Sequence, residues 1–174
     1  LTKVEPLIVV SGNHDLWPGP NGNILDYILK QKKSIAGKHG VRVAFEFPNG
    51  RVLRMHVRHD FPGKSIFSET HGMKRELLHG HRDHLLIAGH IHTDEVRMVP
   101  VETDNLVAML LRVSGYKVAD NYADENRFLS KRMSPSVAVL VDPDARVEAD
   151  VMKCWWDFEE AADILKYKRK KAKK

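Results

Sequence analysis

Two short apolar runs, residues 7–11 and 85–88, constrain the fold most. Each is built largely from Ile, Val and Leu and ends at a glycine, Gly12 or Gly89. Compact runs of this kind read as strands buried on both faces. Residues 41–47 and 51–58 alternate instead, and Asn49-Gly50 between them is a type I′ hairpin signal. Further strands are expected at 96–101, 106–113, 137–141 and 147–152. After a Pro/Gly loop at 17–22, Asn23 can cap a helix carrying Ile24, Leu25, Ile28 and Leu29, with Gly37 or Gly40 as its stop. A loop rich in Gly, Pro and Ser spans 60–70 and a short helix follows at 73–78. Residues 116–134 are polar and helix-like or irregular, and a last helix begins at Phe158. Strands outnumber helices, without internal repeat, so the expected class is α/β, stacked sheets with helices outside.

Size and composition narrow the setting. A chain of 174 residues is long enough for one domain with a substantial core. No apolar run reaches the roughly 20 residues that cross a bilayer, so no membrane partner is expected. The single cysteine, Cys154, cannot form an internal disulfide, which fits a reducing cytoplasm. The net charge of +5 is local: seven of the 28 Lys and Arg lie in 166–174, and without them 21 cations face 23 carboxylates, a net −2. The body is mildly acidic and the basicity belongs to the C-terminal segment. A solvated Lys-rich end is the plainer reading of that segment, and nucleic-acid binding the sharper one.

The chemistry-bearing residues gather where strands are expected to end. Gly12-Asn13-His14-Asp15 follows the first strand, His59-Asp60-Phe61-Pro62-Gly63 the 51–58 strand, and Gly89-His90-Ile91-His92 the 85–88 strand. Strand ends are where layered proteins hold their sites, because the scaffold fixes the strand and the loop presents the side chain. Imidazole nitrogens with amide or carboxylate oxygens suit Zn, Mn, Fe or Ni. Each piece alone is weak, since a lone histidine at a strand end is more often structural. Taken in this order they are specific.

The segment Val9-Val10-Ser11-Gly12-Asn13-His14-Asp15 resembles the third signature block of the calcineurin-like metallophosphoesterases, and Leu86-Ile87-Ala88-Gly89-His90-Ile91-His92 resembles their last. His59 matches their isolated metal-binding histidine, and the likeness covers roughly residues 7–115. The resemblance implies a four-layer α/β/β/α sandwich, of which residues 1–157 would be the C-terminal part; residues 158–174 read from their own pattern as a helical, Lys-rich C-terminal tail. It implies a hydrolase that cleaves phosphate esters with two divalent metal ions. Asn13, His59 and His90 would bind the second ion and His92 the first. His14 would be a non-ligand histidine acting on the phosphoryl oxygens or leaving group, its ring held by Asp15. Two ions about 3.5–4 Å apart would activate and align the attacking water.

One departure is large. The family's first two blocks, Asp-x-His and Gly-Asp-x-x-Asp, should precede Asn13, and twelve residues leave no room for them. They supply most ligands of the first ion and the bridging carboxylate. The start at Leu1, almost directly before a strand, leads us to expect a cut chain that lacks its N-terminal strands.

Other residues carry plainer expectations. Gly63-Lys64-Ser65 lacks the earlier glycine of a P-loop. His79, His81 and His84 read as helix-end and surface residues. His56, three residues before His59, falls on the opposite strand face and reads as packed or exposed. Thr70 and His71 are as readily loop structure as substrate contacts, and Trp155 and Trp156 read as packing. Arg112, Tyr116 and Lys117, after the last block, tilt the expected substrate toward a nucleotide or nucleic acid. The runner-up is a non-catalytic binding or scaffold protein that keeps the fold.

Overall fold

The computed structural model describes residues 8–13, 34–91, 93–115 and 136–172. Within them the chain is mixed α/β. In order it forms β1 (Ile8–Ser11), β2 (Ile35–Lys38), β3 (Gly40–Glu46), β4 (Val52–Arg58), α1 (His71–His79), β5 (Leu85–Ala88), β6 (Glu95–Val101), β7 (Leu106–Arg112), β8 (Ala138–Val141), β9 (Met152–Trp155) and α2 (Phe158–Ala172). The main sheet has five strands in the order β3-β4-β5-β7-β6. Its three central strands are parallel, and antiparallel β3 and β6 form the edges. β1 pairs with β2 in parallel, and β8 with β9 antiparallel.

Alternation along the strands divides the core in two. Leu86 and Ala88 of β5 and Ala108 and Leu110 of β7 face α1, where they pack with Met73, Leu77 and Phe61. Leu85, Met109 and Leu111 face the other way, onto Val151, Met152 and the inner side chains of the β8–β9 pair. A period of two delivers these residues to two cores. Met73 and Leu77 are fully buried, and truncating either to alanine costs about 2–5 kcal/mol. α2 packs on the β8–β9 pair. Asp157 caps it, accepting the Glu159 and Glu160 N–H groups at 2.7 and 3.0 Å. Its first turn is acidic and its last turn basic, which suits the helix dipole. The basic segment is thus helical as far as Ala172, and Lys168 pairs with Asp142 of the hairpin turn at 2.8 Å.

Three local expectations change. The β3–β4 turn is not type I′, because among the described residues Asn49 has no positive φ and only Gly50, at +83°, does in that loop. Phe47 accepts the Gly50 N–H and also donates to Arg51 O, both at 2.8 Å. That is a three-residue loop with Pro48 at a position needing negative φ and Gly50 in the left-handed bulge. Residues 147–152 are not one strand. Arg51 holds Glu148 at 2.7 Å and Ala145 O at 3.1 Å, pinning a turn and a short 3₁₀ segment (Glu148–Asp150), so pairing starts at Met152. Around Gly37 the chain is strand, drawn into register with β1. The helix expected near Asn23 and the stretch 116–134 lie outside the described residues.

His56 points to the α1 face, buried against the Phe61 ring edge at 5.1 Å between centroids. Its Nδ1 makes no hydrogen bond among the described residues, with Glu76 and Asp83 carboxylates at 3.9 and 3.8 Å. Asp83 is instead gripped by Arg42 through two bonds of 2.8 and 2.9 Å. Burial holds the His56 pKa below the ordinary 6.5, although Asp83 and Glu76 pull it up and Arg58 and Arg42 add to the depression. The unfolded chain therefore takes up this proton first. The stability that neutral His56 contributes is complete above about pH 6.5 and is lost as pH falls toward the folded-state value. Thermal unfolding followed by circular dichroism between roughly pH 5 and 7.5 should show the midpoint dropping below about 6.5. His56→Leu should flatten that drop, with His84, also lowered by burial, supplying the remainder. An unchanged slope in His56→Leu would remove the assignment.

Candidate functional site

The parallel register sets the site. Arg58, Ala88 and Arg112 are lateral partners at the C-terminal ends of β4, β5 and β7, so the next residues, His59 and Gly89-His90, leave the sheet side by side. β1 joins this edge through backbone. His39, at φ +60°, donates to Ser11 O at 3.1 Å, and its own carbonyl accepts the His59 N–H at 2.9 Å. The end of β1 is thereby tied to the end of β4. Histidine is among the few non-glycine residues that adopt such a φ readily.

Asn13, His59 and His90 are brought together. His59 Nε2 lies 2.9 Å from Asn13 Oδ1, and the His59 and His90 rings stand 4.3 Å apart, inclined by 59°. His59 is half-buried and His90 exposed. Gly12 makes the approach feasible: a Cβ there would sit 2.5 Å from the His59 Cε1 and Nδ1 atoms. His14, Asp15 and His92 lie outside the described residues.

His90 occupies a strained turn. Its φ is +69°, and Ile91 N–H donates across it to Gly89 O at 2.9 Å. A γ-turn closed over a positive φ is rare and costs of order 1–3 kcal/mol. Arg112, 2% exposed, faces this turn from the end of β7. It donates from Nη1 to Gly89 O at 2.7 Å, from Nη2 to Asp60 Oδ1 at 2.9 Å and from Nε to Glu69 O at 2.7 Å. Asp60 Oδ1 also accepts the Phe61 N–H at 2.9 Å. The far end of the 60–70 loop is held by Glu95, whose carboxylate accepts from Thr70 N–H at 3.0 Å and Ser68 Oγ at 3.2 Å beside the start of α1.

The sequence marked Asn13, His59 and His90 by their strand ends but missed His39 and Asp60 and misread Arg112. Arg112 is not a substrate contact at the surface; it is buried, with one hydrogen bond from each of its three nitrogens. A charged residue closing the apolar run 106–111 was the available signal, because a buried guanidinium must find partners. Thr70 is fully buried, its hydroxyl on Ser68 and its N–H on Glu95, whereas His71 is exposed at the first turn of α1. His79 and His81 are exposed as expected, and half-buried His84 accepts the Arg54 N–H at 3.1 Å. Tyr116 and Lys117 lie outside the described residues.

The donor set can be tested against a divalent ion. Cis ligands of an octahedral ion with bonds of about 2.1 Å lie roughly 3.0 Å apart, close to the 2.9 Å between His59 Nε2 and Asn13 Oδ1. Imidazoles bound through nitrogen at adjacent corners would have centroids roughly 4.5 Å apart, close to the 4.3 Å seen. These two spacings are compatible with one ion, and the 2.9 Å contact is equally that of a hydrogen bond between the ring and the amide oxygen. Among the described residues no group of three or more His, Cys, Asp or Glu is arranged to hold a metal; the candidate donors are two imidazoles and an amide, without a carboxylate.

Compared with protein-family models, curated proteins and solved structures, the chain gives no significant match. Gly12→Ala tests the local geometry directly. The added methyl should push the His59 ring away from Asn13 while leaving the core, and hence the unfolding midpoint, nearly intact. Side-chain NMR of the histidine rings should show His59 shifted and His56 unmoved; an unmoved His59 would mean that the approach of Gly12 to the ring is not tight.

Proposed function

We propose that the chain is part of a metal-dependent phosphoesterase of the calcineurin-like type, hydrolysing phosphate esters with a dinuclear metal centre. The observation that carries this reading is the convergence of Asn13, His59 and His90 at one sheet edge, in a spacing that fits a shared divalent ion. The order of packing, with α1 on one face of the main sheet and the β8–β9 pair and then α2 on the other, supports a four-layer α/β/β/α sandwich.

A divalent ion bound there would supply Lewis-acid activation of water and neutralise phosphate charge. The chain's own part is to orient. Asn13 offers an amide oxygen, His59 and His90 offer ring nitrogens, and the Gly12 turn holds the first two in contact. In this reading His92 belongs to the neighbouring ion, and His14, steadied by Asp15, stabilises the phosphoryl oxygens or protonates the leaving group. Mn, Zn, Fe and Ni all suit such ligands, and cytoplasmic conditions suit the lone thiol.

Three neutral ligands bring no negative charge to offset a dication, and a carboxylate bridge is not among them. Residues 1–174 should therefore bind at most one ion, weakly, with no appreciable turnover. A chain extended to include Asp-x-His and Gly-Asp-x-x-Asp blocks should hydrolyse a chromogenic phosphodiester in the presence of Mn²⁺. Titration calorimetry with Mn²⁺ or Zn²⁺ decides: binding indifferent to His59→Ala and His90→Ala would sink the ligand assignment and favour the scaffold reading. Two tightly held ions with turnover from residues 1–174 would mean that other residues replace the two blocks. In an active form His14→Ala should lower kcat by roughly 10²–10⁴-fold with metal content unchanged; loss of metal would make His14 a ligand.

A further inference from the structure

We propose that Arg112 is the positioning residue of this site, its guanidinium fork setting the spacing between the loop that carries His59 and the strained turn that carries His90. The proposal rests on reading Asn13, His59 and His90 as metal ligands, and it concerns how they are held. Arg112 acts through the groups that flank the two imidazoles. Gly89 O, immediately before His90, accepts Nη1 at 2.7 Å, and Asp60 Oδ1, immediately after His59, accepts Nη2 at 2.9 Å. Nε reaches Glu69 O at 2.7 Å, so the 60–70 loop is gripped at two points.

Three features separate this from ordinary packing. All three acceptors belong to the loops at the site edge, and none is in the α1 core, which closes around Met73, Leu77 and Leu86. Gly89 O is shared between Arg112 and the Ile91 N–H that spans His90. The bond therefore bears on the one residue whose left-handed φ places an imidazole beside His59. The geometry is also specific to a fork. A lysine ammonium is a single point of charge on a flexible stem and cannot hold three acceptors that diverge around a planar group.

The test uses the purified 174-residue chain and three variants: Arg112→Met, Arg112→Lys and the core control Leu77→Ala. Zn²⁺ affinity, the thermal midpoint and the histidine-ring NMR signals without metal are read for each. Both Arg112 variants should weaken Zn²⁺ binding about 10–100-fold, the usual cost of losing an outer support of a metal ligand. They should also shift the His59 and His90 signals without metal. Leu77→Ala should lower the midpoint while leaving affinity and ring signals as in the parent. Wild-type behaviour in Arg112→Lys would overturn the fork, and an equal loss of Zn²⁺ affinity in Leu77→Ala would reduce the effect to general loosening. Should Arg112→Met fail to fold, Arg112→Lys, which keeps the charge, gives the same readings. Should the parent bind no Zn²⁺, the ligand reading falls and the ring signals decide alone: a shift in both rings sustains the positioning role, and none overturns it.

Discussion

A guanidinium removed from water must be repaid in hydrogen bonds, and the edge of the main sheet is organised around that requirement. Arg112 closes β7 at 2% exposure. A charge so buried is costly unless paired and fully engaged. Asp60 provides the counter-charge at 2.9 Å, and the carbonyls of Gly89 and Glu69 take two further donors. The partners lie on the connections out of β4 and β5, so satisfying one cation fixes how two loops leave the sheet. Removing the guanidinium would leave Asp60 and two carbonyls to find new donors, and the loops would relax apart.

The second constraint is topological. Parallel β4, β5 and β7 end at one edge, and a β-sheet brings the loops leaving such strands within a few ångströms of one another. β1 is not in that sheet. It is brought to it by His39, whose backbone bridges Ser11 and His59, and this carries Asn13 to His59. Two histidines, His39 and His90, adopt left-handed φ on this edge. Backbone strain of this kind persists where surrounding bonds over-determine it, and here those bonds come from Arg112 and from neighbouring strand ends.

Much of this was legible. Residues 85–88 read as a strand because an unbroken apolar run needs cover on both faces, and β5 indeed lies between two cores. Asn13, His59 and His90 stand out because glycine or a strand end precedes each. What failed depended on partners distant in sequence. The β3–β4 turn follows Pro48, which overrides the Asn-Gly signal. The segment 147–152 yields its strand character to Arg51, about a hundred residues earlier. In sequence Arg112 reads as a basic residue on the substrate side because its three acceptors, at 60, 69 and 89, come together only through the parallel register. The fold class was thus carried by local periodicity, while the support of the site was carried by long-range hydrogen bonds that leave no periodic trace.

The claim that matters most is that His59 and His90 serve one ion. X-ray absorption at the zinc K-edge of the Zn²⁺-loaded chain measures it directly, because imidazole ligands give a distinct multiple-scattering pattern at metal–nitrogen distances of about 2.0–2.1 Å. Both rings should appear in the shell with oxygen ligands completing it, and His59→Ala and His90→Ala should each remove one imidazole. A shell of oxygen alone, or one that keeps its imidazole count in both variants, would contradict the shared site.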